Sequence, residues 1–388
     1  MLSQDTKLTK SIHKLQSYSI KNNFRGYDPY DALNSIQLQS IPSKTAKLLI
    51  SQILVYSPYN LRRLIGIKKG LNPKGIGLFL QALCKMNEKP VKLIKKLALW
   101  LLKNKSSSFS NYSWGYNFPW QSIYSYKEKN TPTIVNTSFV GHSLLDVYDL
   151  TGDDTYLHFA RSSCDFILED IPRTVTDRGI CFSYTPYETD LVFNASALGI
   201  SLLSRTYSYT QEKLLKQTSQ SAANYLVNKQ RSDGSWPYSQ NIITGIYREQ
   251  LDWHQGFIID SLSDFIKYCA PNSKKFKTSL IKGIDFYKKF QFEGDGKGMW
   301  RCPTRWPVDI HNQAQGIITF SKMSHIHPRY REFAEIIAEW TIDNMQDSKG
   351  FFYYQKWPFF TNKTSYIRWN QAWMLLALCT LLDHKINE

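Results

Sequence analysis

The sequence predicts an all-α chain, an (α/α)6 toroid of six helical hairpins. Three observations carry that expectation. A short apolar helix built around a pivot recurs at Gly141, Gly199, Gly256, Gly316 and Trp373, at intervals of 58, 57, 60 and 57 residues. Each unit also holds a second pattern that bears lysine or arginine and has one apolar face, as an outer helix needs. The last unit, Trp373-Met374-Leu375-Leu376-Ala377-Leu378, is as apolar as the middle ones, whereas an open solenoid would end in a polar cap.

Gly77, 64 residues before Gly141, adds a sixth pivot. The outer helices are expected at 43–56, 90–102, 153–168, 211–230, 273–290 and 328–345. Residues 43–388 then form one toroid domain and residues 1–42 an N-terminal extension. The pivot helices read apolar nearly all round, as helices buried on two sides do. The glycines and lysines at Gly66, Lys68, Lys69, Gly70, Lys74, Gly75 and Gly77 lack the GxxxxGK[ST] spacing of a phosphate loop and read as a turn before the first inner helix.

Composition narrows the function classes. The 388 residues are 42% apolar and 14% aromatic, which excludes wholesale disorder. A formal net charge of +16, scattered along the chain, points to solvated helix faces and to an anionic partner. That partner is expected to be an acidic or lipid-linked carbohydrate first and an anionic membrane touched peripherally second, with no nucleic acid. Residues Met1–Lys14 carry Asp5, Lys7 and Lys10 where a secretory signal would be apolar, and no window reaches the length of a membrane span, so a cytoplasmic location is expected. The six cysteines never form CxxC and no HExxH occurs, so neither metal nor cofactor is expected.

Aromatic segments precede the inner helices and gather at one mouth of such a ring, where loops on a rigid scaffold carry function. Trp114, Tyr116, Trp120, Gln121, Tyr184 and Trp306 are candidates to stack on or hydrogen-bond a sugar. Asn136, Asn194, His311 and Arg368 each stand five residues before a pivot, and Glu249 and Asp309 seven before. Glu188, Asp190, Asn312, Asn370 and His142 complete the polar candidates. Asp252/His254 and Asp309/His311 repeat one Asp-x-His pattern in adjacent units, which supplies two carboxylates and two imidazoles for acid and base work. The catalytic candidates are therefore Asp252, His254, Asp309, His311, Glu249 and Glu188. The bland alternatives are helix capping for Asp190, Asn194 and Asp252, and satisfied core histidines for His254 and His311.

Leu64-Ile65-Gly66-Ile67, Asn72-Pro73-Lys74, the 114–121 and 132–139 segments and Cys181-Phe182-Ser183-Tyr184 together resemble a family of bacterial proteins associated with exopolysaccharide or capsule biosynthesis loci. The likeness runs from about Leu61 to the C-terminus. It implies a six-hairpin toroid related to glycan-processing enzymes and carries over no catalytic residues. Gln230 to Trp236 is also similar to the QW-type repeats of terpene cyclases, but the cyclases' DxDD motif is missing. The expected function is glycan processing by hydrolysis, elimination or epimerisation. A non-catalytic glycan-binding or assembly factor and a terpene-type cyclase are the alternatives.

Overall fold

The computed structural model of the chain describes residues 2–121 and 126–386. In chain order its helices are α1 (Leu2–Lys21), α2 (Ile36–Gln39), α3 (Lys44–Tyr56), α4 (Pro73–Lys85), α5 (Val91–Lys103), α6 (Ile134–Thr151), α7 (Asp154–Asp165), α8 (Phe193–Thr210), α9 (Lys213–Asn228), α10 (His254–Cys269), α11 (Lys274–Gln291), α12 (Ile310–Lys322), α13 (Pro328–Met345) and α14 (Trp373–Ile386). Strands are short and confined to the loops before inner helices, as in the three-stranded sheet of residues 308–309, 355–356 and 361–362.

Inner helices α4, α6, α8, α10, α12 and α14 pack in that order, and α14 returns to α4, so the ring is closed. The toroid expected from the pivots is the fold observed. Close approach explains the small pivots: a Cβ built on Gly256 of α10 would lie 2.6 Å from the Gln315 side chain on α12. Inner helices begin where a side chain takes up an orphan N–H. Asn72 accepts from Gly75 N, Thr133 from Asn136 N and Asp309 from His311 N.

One loop motif recurs around the ring. The backbone N–H of Trp114, Phe182, Trp236, Gly298 and Phe352 donates in turn to the side chains of Thr137, Ser196, Gln255, Gln313 and Gln371, the first four on α6, α8, α10 and α12 and the last in the turn that leads into α14. Beside it, a tight turn presses a positive-φ glycine against an outer helix. A Cβ on Gly179 would sit 2.1 Å from the Ser221 carbonyl of α9, and one on Gly350 would sit 2.4 Å from the Lys14 carbonyl of α1.

That last contact corrects the expected N-terminal extension. Residues 2–21 are the sixth outer helix: α1 packs on α13 and α14, and Leu8, Ile12 and Leu15 belong to the ring's core. Gln346 donates to the Ser11 carbonyl of α1 as Gln230 donates to the Ser279 carbonyl of α11. The 43–56 helix, expected to be that outer helix, lies outside the ring. Ala32, Leu33, Leu38 and Leu54 form a small core of their own, and α3 contacts the strand at Trp120–Gln121 at the mouth. Its amphipathic pattern was real, but the surface it covers is this separate cluster.

Gly350→Ala adds a methyl to a backbone at φ +100 in contact with α1, whereas Gly66→Ala adds one at φ +76 with nothing within 4 Å. Gly350→Ala is expected to cost at least about 2 kcal/mol more than Gly66→Ala by urea denaturation. Equal costs would place α1 outside the cooperative core.

Candidate functional site

Three rings meet on the axis of the toroid. Phe139 of α6, Phe257 of α10 and Trp373 of α14 stand 5.1 to 5.7 Å apart by centroid and close the ring's centre. The Lys74 ammonium of α4 rests on all three, at 4.3 Å from Phe139, 5.2 Å from Trp373 and 5.5 Å from Phe257. Burial, and after it the nearby Arg368 guanidinium, holds the Lys74 ammonium well below its ordinary range.

Above this floor sit the two histidines of the repeated Asp-x-His pattern. The Trp253 ring lies 5.1 Å from both imidazoles and stacks on His311 at 15°. His254 Nδ1 is 2.5 Å from Asp252 Oδ1, which leaves Nε2 as the nitrogen for other chemistry. Asp252 also accepts from His254 N and from Gln250 Nε2, at 3.1 and 2.6 Å. His311 is buried among Trp253, Trp369, Trp373 and Phe257, and neither ring nitrogen has a hydrogen-bond partner. Burial, then Lys74 and Arg368, lowers its pKa well below the usual histidine value, so the imidazole is neutral.

Arg368 enters through a π-helical turn, Ile367–Ala372, at the head of α14. Asp28 holds its guanidinium with two bonds of 2.6 and 2.8 Å, and the cation lies over the rings of Tyr116 and Trp369. The His311 ring is 4.4 Å from the same Trp369, so imidazole and guanidinium share one indole. Tyr30 packs edge-on to Trp369 from the other side.

The remaining candidates separate into groups. Tyr116 and Tyr184 meet at the mouth, hydroxyls 3.4 Å apart. Trp120 lies under Lys127, which pairs with Glu188 at 2.5 Å, and Glu188 also accepts from Thr185. Gln121, in the strand beside Trp120, and Trp306 are half-buried. Asn136 is buried with both amide atoms unpartnered, and the Oδ1 atoms of Asn194 and Asn312 are likewise unpartnered.

Other expected residues have different work. Asp309 is a cap: it accepts from His311 N, Gln355 Nε2 and Trp369 Nε1, and burial pushes its carboxyl up to about 6 against those bonds. Trp114 is fully buried, its indole donating to the Leu101 carbonyl, so it staples its loop to α5. Asn370 donates to the Phe352 and Thr364 carbonyls and secures the π-turn. Glu249 is exposed and paired with Arg231, and Asp190 is exposed. His142 stands three residues past Phe139, about 4.5 Å further along α6, beneath the aromatic floor. It bonds Ser201 there, in a cluster with Asp264 and Lys322, and burial lowers its pKa to about 3.

Lys74, Trp253, Trp369, Asp28 and Tyr30 were not anticipated as site residues. Lys74 reads as a turn lysine, and Asp28 and Tyr30 fall in the segment read as an extension. Trp253 and Trp369 had a signal: each directly adjoins a candidate, in Asp252-Trp253-His254 and Arg368-Trp369-Asn370. Among the described residues no three His, Cys, Asp or Glu side chains converge as metal ligands would, and no helix is long and apolar enough to cross a membrane.

Lys74 gives a pH-dependent prediction. Between its lowered folded pKa and 10.5 the unfolded chain binds one more proton, so Lys74 makes stability rise with pH, by up to about 1.4 kcal/mol per unit. Lys74→Met is therefore expected to be more stable than wild type at pH 8, with the difference shrinking by pH 9.5. A difference constant across that range in chemical denaturation would contradict it.

No family model matches the chain, and no curated protein does. Solved structures do. Cellobiose 2-epimerase from Bacillus thermoamylovorans is similar at 12% identity, with 81% of this chain and 88% of that one covered and a TM-score of 0.64. A GH76 alpha-mannanase from Bacteroides thetaiotaomicron matches at 14% identity over 82% and 88%, TM-score 0.64. An unsaturated glucuronyl hydrolase from Streptococcus agalactiae matches at 14% over 98% and 91%, TM-score 0.62. At these identities the likeness establishes the toroid fold.

Proposed function

We propose that the protein is a sugar-processing enzyme that moves a proton on a carbon next to a carbonyl or carboxylate, as an epimerase or isomerase does. The observation that carries this is the pair of imidazoles that both pack on Trp253, one tied to a buried carboxylate and one neutral with neither ring nitrogen hydrogen-bonded. Neutral His311 takes the proton from carbon, and the C–H electron pair moves onto the adjacent oxygen as an enolate. Arg368, fixed by Asp28, offsets that negative charge. His254 as imidazolium, stabilised by Asp252, returns a proton to the opposite face. The carbon is inverted, and a later proton exchange resets the pair.

The carboxylates argue against hydrolysis, which needs one carboxyl as acid and another as base or nucleophile. Asp252 and Asp309 are occupied by donors, Glu188 is paired with Lys127, and Glu249 lies outside with Arg231. Converging His, Arg and Lys side chains are also unlike the apolar cavity a terpene-type cyclase needs. Neighbours of this fold include sugar epimerases and a D-mannose isomerase by name. On charge and resemblance, the finer proposal is an acidic or lipid-linked oligosaccharide in exopolysaccharide or capsule synthesis.

The test is proton NMR of the protein with cellobiose, mannose and a reducing glucuronate disaccharide. The expected result is a new epimeric or isomeric sugar from one of them. Released monosaccharide from the disaccharides would favour hydrolysis instead.

A further inference from the structure

The segment between α1 and α4 carries a surface that the chemistry below it does not use. Leu49 and Ile53 stand one turn apart on α3 and are more than half exposed, on the face opposite the buried pair Leu54 and Val55. Ile36 and Leu64 are exposed at 82% and 80%, and a 2.7 Å bond from Ser35 Oγ to the Ile65 carbonyl holds their loops together. Tyr59 follows α3, and Asn362 donates to the Ser57 carbonyl beside it at 2.8 Å, which docks the 355–362 hairpin there. That hairpin's tip presents Phe359 at 98% exposure. Two loops and a helix thus join into one apolar face at the mouth, larger than isolated surface side chains explain.

Its charge is one-sided. From residue 32 to residue 87 the chain contains no Asp or Glu, while Lys44, Arg63 and Lys68 are exposed on the same helix and loop that carry the apolar side chains. A second copy of so cationic a face would repel the first. A 13-residue helix is too short to span a bilayer. An apolar face rimmed by lysine and arginine instead suits the headgroup boundary of an anionic membrane, where acyl chains take the apolar groups and lipid phosphates the cations.

We propose that this face, built by α3, the 57–69 loop and the Phe359 hairpin, docks the mouth of the toroid on an anionic lipid bilayer. Co-sedimentation with vesicles tests it, in about 0.1 M salt so that screening does not hide the charges. Vesicles of phosphatidylcholine containing about 30% phosphatidylglycerol, a negatively charged surface, are expected to pellet the protein at least about tenfold better than phosphatidylcholine alone. Lys44→Glu/Arg63→Glu/Lys68→Glu is expected to weaken that binding about a hundredfold or more, near fivefold per cation removed. Leu49→Ser/Ile53→Ser/Phe359→Ser, all at exposed positions, should weaken it while circular dichroism stays that of the wild type. No preference for anionic vesicles, or unchanged binding by both variants, overturns the proposal. So does a wild type that ignores vesicles but dimerises through this face, with the serine variant monomeric.

Discussion

His311→Phe is expected to stop turnover and stabilise the protein in the same stroke. Phenylalanine keeps the ring wedged between Trp253, Trp369 and Trp373 and deletes two buried nitrogens that have no partners. Removing such groups is worth about 1–2 kcal/mol, readable by urea denaturation. Loss of the base should reduce turnover by about 10²–10⁴-fold. The pH behaviour follows with a definite sign. The unfolded chain protonates this histidine near 6.5 and the folded chain does not, so its contribution to stability falls as pH drops below 6.5. His311→Phe lacks that slope. Because the folded imidazole stays neutral there, the acid limb of kcat/KM contributed by this base lies below pH 6.5. A fully active His311→Phe would remove His311 from the reaction.

Asp28→Ala is expected to be the most destabilising substitution at the mouth. It leaves the Arg368 guanidinium, now 2% exposed and held by two short bonds, buried without its counter-charge. Breaking such a pair from one side costs about 3–5 kcal/mol. Asp28→Ala/Arg368→Met removes both charges and should recover most of that loss while remaining inactive. A single-mutant cost below about 1 kcal/mol in urea denaturation would mean that water, not Asp28, solvates Arg368.

The ring was legible because its cause is periodic: a helix buried on both sides must be apolar all round and small where it meets its neighbour, and that requirement returns with every hairpin. Chain order misleads where the sixth outer helix comes from the other end of the sequence. α1 closes on α13 and α14, and nothing local in residues 2–21 says which partner its Leu8, Ile12 and Leu15 will meet. α3 misleads in the opposite way, since amphipathicity reports that a face is covered without reporting by what.

The site was half legible. Asp252, His254 and His311 follow from the repeated Asp-x-His pattern, and His311 and Arg368 also from standing five residues before their pivots. Asp309 belongs to the same Asp-x-His pattern and Asn370 stands two residues after Arg368, yet both are structural, because a cap and a catalytic group use the same residue types at the same helix end. Lys74 was hidden since only assembly of α6, α10 and α14 creates the aromatic bed beneath it.

Solvent deuterium incorporation tests the histidine pair most directly. Wild-type protein in D2O, given the sugar on which it acts, is expected to place one deuteron on the carbon beside the carbonyl or carboxylate in the inverted product. His311→Phe should show no exchange, and His254→Gln should show none in the inverted product. Turnover with no deuterium on carbon, or exchange unaffected by both substitutions, would contradict proton transfer between these two imidazoles.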